Sequence, residues 1–144
     1  MSGVKRHRRG QGLVEFALIL PVLILIFMGI VDFGRAIYAY NSVSNAAREG
    51  ARVGIVDQGQ TGGVYDAAIE AANQATALGL DASDPSQVLV TFPDPGNCPT
   101  LDVGCPIRVR VQYQFTAITP IIGRIIGPIT VGSTAELPVE RKLP

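Results

Sequence analysis

Glu15 is the only ionisable side chain between Gln11 and Val31, in a run that is otherwise apolar. A carboxylate in a membrane helix costs about 2.5–3.5 kcal/mol at the bilayer centre and less near an end. Either the side chain reaches back to the headgroups, or a cation neutralises it. If the chain were cut between Gly10 and Gln11, a new α-amino group would arise four residues before Glu15.

That amino group cannot easily reach the carboxylate of its own chain, because the two lie about 6 Å apart along a helix axis. A neighbouring copy that is axially staggered could supply its amine instead. Charge pairing at low dielectric would then favour one stagger over all others. Two interpretations of Glu15 therefore stay open, a carboxylate at the headgroups and a group that sets the register between subunits.

Residue types suited to catalysis are scarce in the remainder of the chain. The only histidine, His7, lies among arginines near the N-terminus, which argues against histidine triads and most metal sites. The glycines at 59–63 lack the lysine and the strand–helix setting of a phosphate loop. We therefore expect no enzyme, no metal and no cofactor. Since no basic patch recurs downstream, we also expect no nucleic-acid partner.

The apolar run at 11–31 must itself be placed in a membrane. About twenty residues at 1.5 Å each cover the roughly 30 Å hydrocarbon core of a bilayer. The run is longer than the 7–15-residue core of a secretory signal, so an anchor is favoured. The first ten residues contain no acid and four bases, Lys5, Arg6, Arg8 and Arg9. This bias predicts a single-pass protein with its N-terminus in the cytoplasm and its head outside.

We accordingly divide the chain into a basic leader at 1–10, a transmembrane half-helix at 11–31, an amphipathic stem at 32–55 and a head at 64–144. In the stem, Asp32 with Arg35 and Glu49 with Arg52 are expected to form surface pairs of little energy. The stem is also rich in glycine and alanine. These small residues favour close packing of another helix or of the chain's own head, with simple tolerance as the alternative.

The head is predicted to be α+β, with one helix and a roughly three-stranded antiparallel sheet. The helix is expected at 64–78 with Gly79 as its stop, and the strands at 87–92, 107–115 and 129–137. Thr119-Pro120 is typical of the start of a short helix. Its isoleucines are expected to pack under the sheet, with a membrane-surface or subunit contact as the alternative. Residues 140–144 are expected to be a tail.

The two cysteines, Cys98 and Cys105, flank a proline-rich loop between the first two predicted strands. An even count at short spacing in a translocated segment is typical of a disulfide. Closing so small a ring stabilises a fold by about 2–3 kcal/mol, which matters for a head with a thin core. A metal pair is the competing interpretation, but it lacks a second cysteine pair and a nearby histidine. We predict a structural disulfide.

The N-terminal residues also resemble a known family. Gly10, four further residues and then Glu15-Phe16, after a basic leader and before an apolar helix, are similar to the class III signal peptides of type IV pilins. The longer match is to TadE-like pseudopilins of tight-adherence (Flp) pilus systems. It is carried by three segments, Gly12-Leu-Val-Glu-Phe-Ala-Leu-Ile-Leu-Pro21, Gly29-Ile-Val-Asp-Phe-Gly-Arg35 and Ala46-Ala-Arg-Glu-Gly-Ala-Arg52.

This resemblance implies a pilin-like fold and a prepilin that a prepilin peptidase cuts after Gly10, so that Gln11 begins the mature chain. Glu15, Phe16 and Pro21 would then take part in subunit register and assembly, with Pro21 bending the helix. The implied partners are the lipid bilayer, the pilus-assembly platform, and the same or other pilins through the N-terminal helix. After processing, the protein would be extracellular in a pilus.

Three functions are therefore open at this point. The resemblance favours a minor pilin or pseudopilin of a Tad-type pilus or a related secretion apparatus. The protein could instead be the major filament subunit, or an anchored binding or sensing domain that never polymerises.

Overall fold

A single long helix contacts another helix and two strands of the head. The computed structural model describes residues 8–92, 98 and 103–140 of the chain. Helix α1 runs without interruption over Arg8–Gly54, a length of 47 residues, with Pro21 inside it. Pro21 lacks the N–H that would complete one helical hydrogen bond, yet the helix continues on both sides. The helix begins two residues before the end of the predicted leader, whose first seven residues lie outside the described residues.

The head that follows α1 has the predicted α+β architecture. A short hairpin leads into one helix, a three-stranded sheet follows, and a second short helix lies between its last two strands. The elements are β1 (Gln60–Thr61), β2 (Val64–Tyr65), α2 (Asp66–Gln74), β3 (Val88–Thr91), β4 (Pro106–Phe115), α3 (Pro120–Ile126) and β5 (Ile129–Pro138). The sheet order is β3-β4-β5, and both strand pairs are antiparallel. The predicted fold class is confirmed.

Strand β4 lies at the centre of the sheet, close to the predicted range of 107–115, and buried residues alternate with less buried ones over 106–111. Ile107, Val109 and Val111 are completely or almost completely buried, whereas Arg110 between them is exposed. On the outer face, Arg108 forms an ion pair with Glu136 of β5 at 2.8 Å. A period of two residues thus turns one face of β4 toward α1 and leaves the other to solvent.

The helix predicted over 64–78 is shorter in the structure. Val64 and Tyr65 are the second strand of the hairpin, because Gly62 and Gly63 adopt positive φ and turn the chain back on itself. The α-helix ends at Gln74, and a 3-10 turn at Thr76–Leu78 follows. Gly79, predicted as the stop, does end this turn in a left-handed conformation with φ 64°.

The connection between β3 and β4 carries the disulfide. The structure joins Cys98 to Cys105, with their Cα atoms 5.7 Å apart. Cys105 is buried at the edge of the core and its carbonyl accepts the N–H of Val139 at 2.8 Å. The prolines at 93 and 95, expected to close the first strand, lie outside the described residues.

The predicted tail begins as part of the folded head. Val139 is 1% exposed, and the N–H of Glu140 donates to the carbonyl of Ile55 at 2.9 Å. This bond ties the end of β5 to the turn that follows α1. Residues 141–144 lie outside the described part of the chain.

The small residues of the stem face the head of the same chain. Buried positions on α1 recur at helical spacing and meet α2 and β4, at Ala39, Val43, Ala46, Ala47, Gly50, Ala51 and Gly54. A Cβ at Gly50 would lie 2.7 Å from the carbonyl oxygen of Ala67 and 2.8 Å from the Cβ of Ala71. A Cβ at Gly54 would overlap the side chain of Ile107. Close packing, the first of the two interpretations of these residues, is correct for this part of the helix.

Two glycines of α1 give a matched test of this packing. We expect Gly50→Ala to lower the free energy of unfolding by about 1–3 kcal/mol, because the main chain of α2 must move to admit the methyl group. Gly34 has nothing within 4 Å of the position of a Cβ. Gly34→Ala should therefore raise that free energy by up to about 1 kcal/mol through helix propensity alone. Denaturant unfolding of the full chain in detergent micelles measures both; equal effects of the two substitutions would contradict the close contact.

Candidate assembly and docking surfaces of the N-terminal helix

Most of the first half of α1 is left uncovered by the other residues that the structure describes. Its large apolar side chains from Leu13 to Val31 are mostly more than half exposed, with Leu18 at 72% and Ile30 at 63%. Among the described residues, α1 is the one helix long and apolar enough to cross a membrane, and none of its most apolar stretch is buried. The surface of this half-helix is therefore available to lipid or to other helices.

The residues predicted for cleavage and register lie at the start of this bare segment. Gly10, Gln11, Glu15 and Phe16 are all exposed, with Phe16 at 63%. The side-chain amide of Gln11 donates to Oε1 of Glu15 at 3.4 Å, a long bond between exposed groups. The carboxylate thus has a weak partner in its own chain and is accessible to a stronger one.

Gly10 and Gly12 on either side of Gln11 have no atom within 4 Å of the position of a Cβ. Each glycine costs a helix about 1 kcal/mol relative to alanine. At Gly50 that cost is offset by close packing, whereas the described residues make no such contact at Gly10 or Gly12. The first turns of α1 are therefore easy to unwind.

Pro21 lies beside an apolar groove rather than in the core. The groove encloses about 400 Å³ between this part of α1 and the segment that begins α3, and it is lined by Leu20, Pro21, Ile24, Met28, Thr119 and Pro120. Pro21 itself is exposed. The head therefore reaches the upper part of the apolar half-helix, which the division into a membrane segment and a separate head did not anticipate.

The contact that holds the head there is made by Asp32. This residue is 5% exposed, and its two carboxylate oxygens each accept one backbone hydrogen bond. Ile118 N donates to Oδ1 and Thr119 N donates to Oδ2, both at 2.9 Å. Bonds of N–H groups to a charged acceptor are stronger than those between neutral groups. Asp32 thereby docks the chain just before α3 onto α1.

Asp32 and Arg35 form the predicted pair, but the prediction that the pair lies on the surface is wrong for Asp32. The two side chains are 3.4 Å apart as expected, but that of Asp32 is 7% exposed and only that of Arg35, at 41%, is well exposed. The guanidinium of Arg35 also lies 5.4 Å from the ring centroid of Phe115, at the end of β4. Helical spacing identified the pair, while its burial depends on residues more than eighty positions away.

These contacts lower the pKa of Asp32 to about 2, from an ordinary value of 3.8. The Thr119 hydroxyl has the largest effect, followed by the N–H groups of Ile118 and Thr119; burial acts in the opposite direction, and Arg35 lowers the pKa further. The buried hydroxyl of Thr119 has no hydrogen-bond partner among the described residues, so the short hydrogen bonds to this carboxylate are those from the N–H groups of Ile118 and Thr119. Asp32 is therefore ionised in the folded protein under ordinary conditions.

Sequence reasoning missed Asp32 as a site residue. The available signal was its position, since it is the only acid between Glu15 and Glu49 and comes directly after the apolar run. Its two donors are main-chain groups of a distant loop, which no residue pattern reveals.

The isoleucines in and beside α3 whose side chains the structure describes do not pack under the sheet, contrary to the prediction. α3 lies against α1 instead, where Cδ1 of Ile122 would be 3.9 Å from a Cβ at Gly29. Ile118, Ile125 and Ile126 are 57%, 78% and 57% exposed. The reason is that Asp32 fixes the start of α3 beside the membrane end of α1, away from the core between α1 and β4.

Replacing Asp32 tests the docking contact. We expect Asp32→Asn to lower the Tm at neutral pH by several degrees, because an amide offers one acceptor oxygen where two N–H donors point. The carboxylate's contribution is complete above about pH 5 and is lost as the pH falls through 3.8 toward 2, since its folded pKa is the lower one. The Tm difference between wild type and variant should therefore shrink over that range, as read by thermal unfolding in micelles.

Glu49→Gln is the matched control, because it neutralises an acid of the same helix whose pair with Arg52, at 3.2 Å, is exposed. Surface pairs of this kind contribute at most about 1 kcal/mol. A Tm difference between Asp32→Asn and wild type that stays constant down to pH 2 would refute the role assigned to the Asp32 carboxylate.

Comparison with known proteins gives one match. The model of the TadE-like protein family matches residues 10–52, which is less than a third of the chain and almost the whole of α1. Neither the curated proteins nor the solved structures include a match. The family resemblance read from the sequence is thereby confirmed over this helix: residues 10–52 are TadE-like.

Proposed function

We propose that this chain is a TadE-like prepilin, cut after Gly10 and assembled through α1 as a minor pilin or pseudopilin of a Tad-type pilus or related secretion apparatus. The match of residues 10–52 to the TadE-like family supports the proposal, because that family suggests a Tad pilus-associated protein. The observation that carries the proposal is the bare apolar half of α1, joined without a break to a half that is buried in the head.

A helix divided in this way suits a subunit that leaves the membrane for a filament. Lipid covers the apolar half before assembly, and the same half of neighbouring subunits can cover it afterwards. The stem half belongs to the core of the head, so the head and its anchor move as one body. An anchored sensor needs only an apolar half that lipid covers, and it does not need a stem that belongs to the core of the head.

Processing after Gly10 is supported by the glycines on both sides of Gln11. A peptidase needs its substrate in an extended conformation, and a helix end with two unpacked glycines unwinds at low cost. The leader remains cytoplasmic under the positive-inside rule, and the prepilin peptidase would meet it at that surface.

Glu15 supports assembly rather than simple anchoring. Its partner within the chain is the amide of Gln11 at 3.4 Å, a weak and exposed contact. An α-amino group from an axially staggered neighbour would pair with it more strongly, because attraction between charges grows as the dielectric falls. Phe16 beside it offers exposed ring surface to the same neighbour.

The N-terminus of the native protein decides whether processing occurs. We expect intact-mass and peptide mass spectrometry to find a chain that starts at Gln11, both in membranes and in material sheared from the cell surface. A chain that starts at Met1 or Ser2 and is confined to membranes would overturn the filament proposal. It would leave the anchored binding or sensing domain as the function.

Abundance in the sheared fraction separates minor from major subunits. We expect this chain to be a small fraction of purified filaments. If it is their main component, the subunit is the major pilin.

Glu15→Gln tests the register role. We expect this variant to be cut after Gly10 but to be at least several-fold depleted from sheared filaments, because the amide cannot pair with the neighbour's amine as a charge. Comparison of the membrane and sheared fractions by immunoblot measures the loss. Glu49→Gln, the same change at a surface position of the stem of the same helix, should leave the distribution unaltered. Normal incorporation of Glu15→Gln would refute the role of Glu15 in assembly.

A further inference from the structure

An exposed apolar patch surrounds α3. Its large side chains are Ile118, Ile125, Ile126 and Ile129, with exposed fractions of 57%, 78%, 57% and 45%. No other part of the described head presents so many exposed isoleucines in so short a stretch. Exposed apolar clusters of this kind mark a surface that is covered in the working protein.

The patch lies at a definite level along α1. Ile122, Ile126 and Ile129 line one apolar pocket of about 220 Å³ together with Gly29, Phe33 and Ala36 of that helix. These residues of α1 span the last turn of the predicted membrane segment and the first turns beyond it. The exposed isoleucines are therefore continuous with the bare apolar surface of α1, which includes Phe33 at 68% exposed.

The charge pattern of this segment suits the boundary of a bilayer. Arg124 is the only ionisable residue between Ala117 and Ala135, and it is exposed. A guanidinium next to apolar side chains can reach lipid phosphates while the isoleucines enter the acyl region.

Backbone N–H groups at both ends of α3 are hydrogen-bonded within the protein, which suits a surface that contacts lipid. The N–H groups of Ile118 and Thr119, which precede α3 and lie outside its helical bonding, are both bonded to Asp32 at 2.9 Å. At its other end, Gly127 N donates to the carbonyl of Gly123 at 3.0 Å. Unsatisfied backbone groups are costly in the hydrocarbon region, so this arrangement lowers the cost of entering it.

We propose that α3 is a second membrane contact of the head, lying in the outer leaflet of the bilayer that α1 spans. Ile118, Ile125 and Ile126 enter the acyl boundary and Arg124 faces the headgroup phosphates. The proposal rests on α1 as a membrane helix and is independent of cleavage and filament assembly. Lipid is favoured over a protein partner because α3 packs at the level where the lipid-exposed surface of α1 ends.

Depth measurements in vesicles test this contact. The full-length chain is reconstituted in equal parts phosphatidylethanolamine and phosphatidylglycerol, with a nitroxide on Ile125→Cys. The native cysteines are paired and do not react. We expect molecular oxygen, which concentrates in the bilayer, to relax this nitroxide several-fold more effectively than a water-soluble nickel chelate.

Val56→Cys is the control, because Val56 is also exposed, at 43%, and follows the far end of α1. Gly54 lies about 33 Å beyond Asp32 along the helix axis. At Val56 the chelate should be the more effective of the two reagents. Ile118→Cys provides an independent label on the patch, and Ile30→Cys calibrates the signal within the membrane segment.

Two results would overturn the proposal. If the labels at Ile125 and Ile118 respond like that at Val56, α3 faces water. If both reagents are excluded from these labels while Ile30 still responds to oxygen, protein covers the patch and a second copy of the chain is its occupant. Neither result bears on the N-terminus of the native chain, so failure here and failure of the pilin proposal are distinguishable.

Discussion

The structure depends on the close approach of α1 to the rest of the head at Gly50 and Gly54. A methyl group at Gly50 would meet the main chain of α2, and one at Gly54 would overlap Ile107. The core around this contact consists largely of alanine and valine, so its apolar area per residue is small. Such a core depends on α1 for one of its walls and, in a small head, also gains from the Cys98–Cys105 link. Head and helix are therefore one folding unit, and a force on the anchor is transmitted directly to the sheet.

The acids of α1 illustrate how surroundings decide the role of a residue type. Glu15 lies in the bare apolar segment and has one weak partner among the described residues, so it is available to another molecule. Asp32 lies where that segment ends, and its carboxylate accepts hydrogen bonds from two backbone N–H groups of its own chain. Glu49 forms an exposed pair that contributes little. The proposals on subunit register and on head docking thus follow from different environments along one helix.

Asp32 also links the two membrane-related features of the molecule. By holding the residues before α3 against α1, it places apolar side chains of the head beside the apolar half of the anchor. Under the membrane contact proposed for α3, the head would have one defined height and tilt relative to the bilayer. Subunits presented in a single orientation lose less freedom when they associate, which favours ordered assembly.

The sequence by itself determined the features that arise from local pattern. Unbroken apolar character specified the first half of the long helix, alternation of apolar and polar residues specified β4, and short cysteine spacing pointed to the link between β3 and β4. The family resemblance likewise rested on contiguous residues of α1. Only the tertiary structure decided what depends on distant partners: the burial of Asp32 by Ile118 and Thr119, and the placement of α3 against α1 instead of under the sheet. The isoleucines of α3 would have the same periodicity against α1 or under the sheet. Almost every residue type has a backbone N–H, so residue identity does not show which N–H groups will bind a carboxylate. Sequence periodicity shows that a face is apolar, whereas the folded chain decides what that face meets.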